Sequence, residues 1–259
     1  MKVVQVNEAF KTVGRKFKFS YVQYFVQQDG ALYHGKWHDR HQAPEALEQL
    51  DEVRQIQTED RGPAIRSTWS LIYIKKPNLL TFASGLDLET LILNEVAVCE
   101  ILRENPHPNI ASYYGCEETR GLVSGLCFKR YVSTLLQKVN PQYLSKEHFR
   151  SSKREHVDAA ARGSLDGILK GIKHLHSLGL VHNDINPANI MFDERDTPVL
   201  VDFDSCRKIG ESLHDPKTKR THEWHDPRVE TALEKNDLDA FEELRIWLVG
   251  SVGEKFLFQ

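Results

Sequence analysis

Asp184, Asn189 and Asp202 are the residues of this chain whose types and spacing carry the most chemistry. Asp184 lies in a polar turn, Asn183-Asp184-Ile185-Asn186-Pro187, reached from the short apolar run Leu180-Val181-His182. Pro187 stops any helix there and biases Asn186 towards an extended conformation. Met191 and Phe192 lead into Glu194-Arg195-Asp196-Thr197-Pro198, a hairpin-like turn, and Val199-Leu200-Val201 returns as a second apolar strand ending at Asp202. Two short strands joined by a tight turn bring the two carboxylates and the amide to one rim. Three oxygen-bearing side chains, with no cysteine or second histidine among them, suit a base or the ligation of a hard cation such as magnesium.

The same stretch resembles the catalytic core of the protein kinases. The family's H-R-D-L-x-x-x-x-N reads here as His182-Asn183-Asp184-Ile185 followed by Asn189, and its D-F-G reads as Asp202-Phe203-Asp204. The preceding Leu175-His176-x-x-Gly179-Leu180-Val181-His182 also follows the family pattern. The resemblance implies that Asp184 is the catalytic base for a hydroxyl nucleophile and that Asn189 and Asp202 hold Mg2+ on ATP. It implies an α+β fold of two lobes, with a β-rich N-terminal lobe and a shortened, mainly helical C-terminal lobe. The expected division is 1–60 as an N-terminal extension with a β-hairpin, 61–131 as the N-lobe and 132–259 as the C-lobe.

Other elements must position these groups. Ser70 to Lys75 reads as a strand, closed by Pro77 and resembling the family's V-A-I-K. Alternation lets only one of Lys75 and Lys76 face inward; the resemblance selects Lys75 as the ammonium on the α and β phosphates. Leu88 to Glu104 has helical periodicity, with Leu91, Ile92, Val98, Cys99 and Leu102 on one face. Glu95 lies in the middle of that apolar face, where a carboxylate requires a cationic partner. The family's lysine–glutamate ion pair makes Lys75 that partner. His107-Pro108-Asn109-Ile110 matches a family turn, and two strands, 110–116 and 122–131, follow it. The second runs into a hinge near Phe128-Lys129-Arg130-Tyr131, where Phe128 and Arg130 are expected beside the adenine. The segment 138–155 reads as a polar surface excursion, and Val157 to Leu178 as a helix with Leu165, Ile168, Leu169, Ile172 and Leu175 inward. Thr221 to Pro227 has the spacing of G-T-x-x-(Y/W)-x-A-P-E, so Thr221 is expected to face the catalytic loop and Trp224 to anchor the segment. Asp237 opens a last helix that carries Phe241, Leu244 and Leu248; it reads equally as a dipole-favoured first-turn acid and as the family's buried holder of the catalytic loop. Upstream, Phe17 to Val26 and Ala31 to Trp37 read as a hairpin around Asp29-Gly30, and 44–53 as a short helix.

At 259 residues the chain can hold one or two domains. Lysine and arginine number 34 against 37 acids, a near-balance that points away from nucleic acid and anionic membrane as main partners. Four scattered cysteines without a C-x-x-C pair read as reduced thiols. No apolar run approaches the ~20 residues that cross a bilayer, and the start lacks a signal peptide's apolar core, so an intracellular, cytoplasmic or nuclear protein is expected. His214, His222, Glu223 and His225 cluster without metal-ligand spacing.

Several positions depart from the family. No G-x-G-x-x-G precedes Lys75; only Gly62-Pro63 lies near. Asp204 replaces glycine, Asn183 the arginine of H-R-D, and Asn186 the lysine two places after the catalytic aspartate. Arg228 stands where A-P-E has glutamate, and the chain stops soon after the last helix, so later helices and their arginine partner are expected to be missing. Arg228 is then expected to reach solvent or an acid such as Glu230. The reading is a compact, divergent, fungal-type kinase acting on Ser or Thr of a protein. The alternatives are a small-molecule kinase of the choline or aminoglycoside type, and a pseudokinase that binds without turnover.

Overall fold

A computed structural model describes residues 1–13, 16–56, 72–76, 88–119, 122–214, 218–251 and 253–258. The first sheet is a four-stranded antiparallel meander, β1 (Lys2–Val13), β2 (Lys16–Gln28), β3 (Ala31–Trp37) and β4 (Asp51–Ile56). Gln28 and Ala31 pair across Asp29-Gly30. Both turn residues have positive φ, 51° and 79°, as a two-residue hairpin with the right twist requires. The helix expected over 44–53 is instead a single 3-10 turn, Leu47–Gln49, running into β4. Its two leucines are too few for a helix stripe; Leu50 is buried against Val22, Tyr24 and Val26, and Leu47 packs on that cluster. β1 is held from the side by Arg40, whose guanidinium donates twice to Glu8 at 2.6 and 2.7 Å.

The second sheet has the order β5 (Ile72–Lys75), β7 (Leu122–Lys129), β6 (Tyr113–Thr119), and α1 (Leu88–Glu104) accompanies it. The 110–116 strand begins later than expected because Ile110 forms a parallel bridge to Leu200. Ala111 N donates to Leu200 O at 3.0 Å and Leu200 N to Asn109 O at 2.9 Å. The His107-Pro108-Asn109-Ile110 turn thereby fastens the β-rich part to the rim strands. β7 stops at Lys129, and Arg130 and Tyr131 connect it to β8 (Ser133–Thr134). Pro77 and the Gly62-Pro63 region lie outside the described residues.

The helical part consists of α2 (Leu135–Val139), α3 (Lys146–Ser151), α4 (Ala159–Ser177) and α5 (Glu234–Val249). Thr134, Ser145 and Asp158 cap the first three by accepting from backbone amides. The 138–155 segment is not the polar excursion expected. It carries α3, whose Phe149 is buried and stacks on Trp247 at 4.3 Å between ring centroids. One aromatic among charged residues leaves no periodic signal; the Arg154 guanidinium lies 5.9 Å from its ring centre. Ile168, Ile172 and Leu175 form the buried face of α4, with Leu165 and Leu169 half-buried. Gly171 allows α4 to approach the rim, because a Cβ there would sit 2.8 Å from Asn109 O. Short strands complete the rim: β9 (Leu180–Val181) pairs with β12 (Arg207–Lys208), and β10 (Ile190–Phe192) lies between β11 (Pro198–Leu200) and β8. Among the described residues no helix is long and apolar enough to cross a membrane. The four cysteines form no disulfide.

Candidate active site

Asp237, in the first turn of α5, is fully buried. Its carboxylate accepts from the backbone amides of His182 and Asn183, each at 2.8 Å, and lies 2.9 Å from His176 Nε2. A buried acid with three such partners is satisfied, and of its two sequence readings the geometry is that of a loop holder. Two backbone positions beside it lie in the left-handed region, Asn183 at φ 62° and Asp202 at φ 65°. Non-glycine residues stay there only where their surroundings over-determine them. For Asn183 the determinants are visible: Nδ2 donates to Val181 O and Ser205 O, and Oδ1 accepts from Asn236 Nδ2. The neutral side chain at the family's arginine position is thus consumed in internal hydrogen bonds.

Asp184 is buried at the loop's tip. Its carboxylate accepts from Thr221 N at 2.8 Å, Thr221 Oγ1 at 3.1 Å and Asn189 Nδ2 at 2.8 Å. Asn186 Nδ2 donates to Thr221 Oγ1 at 3.1 Å, so the 218–221 segment is laid across the loop. Trp224 anchors it against Trp247, with ring centroids 5.7 Å apart. Arg228 is exposed and clamps Asp226, at 2.9 and 2.8 Å, not Glu230. His225 Nδ1 contacts Thr221 O at 2.7 Å and His214 faces Glu230 at 3.4 Å; no metal-ligating cluster of histidines, cysteines or acids occurs among the described residues.

Lys75 on β5 donates to Glu95 on α1 at 2.7 Å and also to Asp202. Lys76 points the other way, to Glu117. Burial opposes the charge on Lys75, but Glu95, Asp202 and Asp204 outweigh it and hold the ammonium firmly protonated. Burial is the largest influence on Asp202, yet Lys75 holds its carboxyl below the usual range; burial and the neighbouring Asp202 push Asp204 up. Glu95 is lifted to about 7 by burial, against the pull of Lys75.

The shift on Glu95 has a sign that can be tested. Its folded pKa is raised, so the native state binds more protons than the unfolded chain between pH 4.5 and about 7. Stability therefore falls as pH rises through that window and levels off above it. Glu95→Gln should flatten this component, seen as a difference between the two proteins' melting temperatures that changes from pH 5 to 8. A constant difference would count against a burial-dominated Glu95.

A cleft of about 300 Å³ is lined by Tyr73, Lys75, Phe128 and Arg130 from the second sheet and its exit and by Asn189 and Asp202 from the rim, among others. Sequence-expected residues from the hinge and from the rim therefore line one cleft, with Glu95 and Asp184 bonded to its lining. The Phe128 ring is turned inward against Tyr113, at 5.4 Å, which leaves its backbone to the cleft. Asn189 commits its side-chain nitrogen to Asp184, and neither Asn189 Oδ1 nor Asp202 Oδ2 has a protein partner among the described residues. Two hard oxygen donors in a cleft fit a magnesium ion. Sequence reasoning missed the roles of Asn186 and Ser205, and the pair formed by Lys146 and Glu243.

A family model described as the protein kinase domain matches residues 68–254. The chain belongs to the protein kinase domain family. This kinase domain is 28% identical over 145 residues to MAP kinase kinase kinase SSK2 of Saccharomyces cerevisiae, covering 54% of this chain and 8% of that one. It is 34% identical over 123 residues to the probable serine/threonine-protein kinase samkC of Dictyostelium discoideum, covering 46% and 12%. It is 29% identical over 161 residues to serine/threonine-protein kinase shk2 of Schizosaccharomyces pombe, covering 62% and 24%. The matched region thus spans a quarter or less of each relative. The match fits the architecture, a β-rich N-terminal part followed by a mainly helical one.

Proposed function

We propose that this kinase domain transfers the γ-phosphoryl group of ATP to a serine or threonine hydroxyl of a protein, with magnesium. The observation that carries the reading is Lys75 bonded at once to Glu95 and Asp202, in one cleft with an Asn189 that is bonded to Asp184, itself held by Thr221. Lys75 would grip the α and β phosphates, and Asn189 and Asp202 would hold the metal. Magnesium supplies charge neutralisation on the phosphates when bound. The acceptor oxygen forms a bond to the γ phosphorus, the bond from that phosphorus to the β–γ bridging oxygen breaks, and the hydroxyl proton passes to Asp184; ADP leaves. The relatives carry protein-kinase names, which favours a protein acceptor over choline or an aminoglycoside. The joint presence of Lys75, Glu95, Asp184, Asn189 and Asp202 disfavours a module without turnover.

Purified protein with ATP and magnesium should phosphorylate peptides containing serine or threonine and leave small alcohols untouched. Mg-ATP should also raise the melting temperature, by the equivalent of about 2.7 kcal/mol at a concentration 100 times Kd, and chelating the metal should remove most of the gain. No shift at millimolar Mg-ATP would defeat the proposal.

Regulation follows from Asn183. Asn183, at the family's arginine position, offers a phosphate on the 206–220 segment no charge, because it is neutral and internally bonded. Phosphatase treatment should therefore leave the activity unchanged; abolished activity would show that another cation reads the phosphate.

A further inference from the structure

Three carboxylates, Asp184, Asp202 and Asp204, gather about this site: Asp184 is bonded to Asn189, Asp202 to Lys75, and Asp204 follows two residues on. A phosphoryl group in transfer adds negative charge to them, spread over its equatorial oxygens. Lys75 is committed to Glu95 and Asp202. Asn186, two places after Asp184, contributes no charge, and its amide is spent: Nδ2 donates to Asp184 O and Thr221 Oγ1, and Oδ1 accepts from Ala188 N. The position beside the catalytic aspartate where the family carries a lysine is therefore electrically empty.

Lys219 lies on the segment that crosses this site. The Ser205 hydroxyl donates to its carbonyl oxygen, and Thr221, two residues on, is bonded to Asp184 through both backbone and side chain. The backbone at Lys219 is thus pinned on both sides to this acidic site. Arg220 between them spends its guanidinium on backbone carbonyls, donating to Asp226 O and Val229 O at 3.3 and 3.1 Å. Lys219 itself is exposed, and its ammonium makes no ion pair or hydrogen bond among the described residues.

We infer that Lys219 supplies the positive charge that meets the transferring γ-phosphoryl group, taking from the 218–221 segment the task that Asn186 leaves open. The inference rests on the phosphotransferase reading above. A lysine suits it, because a point charge on a flexible stem can follow the group as it moves from donor to acceptor. Such a contact is made to ATP and lost with ADP, so it is visible in binding as well as in turnover.

The test is calorimetric titration of the full chain with Mg-ATP and Mg-ADP, alongside kcat with a peptide acceptor. Lys219→Met should lower the ratio of ATP to ADP affinity by about tenfold, the size of one charge-assisted contact, with ADP affinity unchanged. Its kcat should fall by about 10²-fold. Lys219→Arg should retain most of both. Adding Asn186→Lys to Lys219→Met should restore the affinity ratio, which a merely structural role for Lys219 would not allow. An unchanged ratio in Lys219→Met, with wild-type nucleotide binding intact, overturns the inference and leaves the phosphotransferase reading standing. A wild type that binds neither nucleotide overturns both.

Discussion

Asp184→Asn should lower kcat by about 10²–10⁴-fold, the usual worth of a positioned general base, while Mg-ATP affinity stays near wild type. The substitution keeps the shape of the side chain and an oxygen to accept from Thr221 N, but removes the atom proposed to take the acceptor's proton. Asp184 is not among the cleft-lining residues, so nucleotide affinity does not depend on it directly. Asp202→Asn should behave differently. It weakens the bond from Lys75 and removes a charged metal donor, so Mg-ATP affinity should fall together with turnover. Steady-state kinetics with calorimetry on the two variants separates these outcomes. Wild-type turnover in both would mean that the site is misassigned.

Glu243→Ala should destabilise the fold by about 3–5 kcal/mol, because it strands a buried ammonium. Glu243 is fully buried on α5 and pairs with Lys146 of α3, itself only 6% exposed in its side chain. The carboxylate also accepts from Leu257 N at 2.6 Å, and the Lys146 ammonium lies 4.9 Å from the centre of the Trp224 ring. Combining Glu243→Ala with Lys146→Met should recover part of the loss, since the uncompensated charge is then gone. Urea denaturation measures both. A loss below about 1 kcal/mol in the single variant would place it with ordinary surface changes and refute a tightly held pair.

The rim around Asp184 was legible in the sequence because its information is local: side-chain types, a proline, and two short apolar runs within about thirty positions. The Lys75–Glu95 contact was legible for another reason. A carboxylate centred on an apolar helical stripe announces that a cation must come to it. The same signature marks Glu243, flanked by Ala240, Leu244 and Trp247 on the buried face of α5. It passed unnoticed because its partner sits in a segment, 138–155, whose composition reads as solvated. Lys146 and Glu243 are 97 positions apart, and neither strand alternation nor helical periodicity reports such a pairing. β1 was hidden by its own irregularity. Register shifts between Val3 and Gln5 and between Ala9 and Phe10 break the period of two, and Val3, Val4 and Val6 stay exposed. β4 is polar and almost wholly exposed, with Glu52 at φ 50°, so only its pairing with β3 identifies it as a strand.

Lys146 joins parts of the chain that otherwise have little to do with one another. Its ammonium donates to Glu243, to the carbonyl of Glu223 and to the carbonyl of Phe258. Glu223 lies two residues beyond Thr221, the residue that holds Asp184, and Phe258 belongs to the tail at 253–258. One charged group is therefore a thermodynamic joint between the acceptor side of the cleft and the far edge of the helical part. Any coupling that this ammonium carries between Thr221 and the tail runs equally in both directions, because linkage between two equilibria is reciprocal.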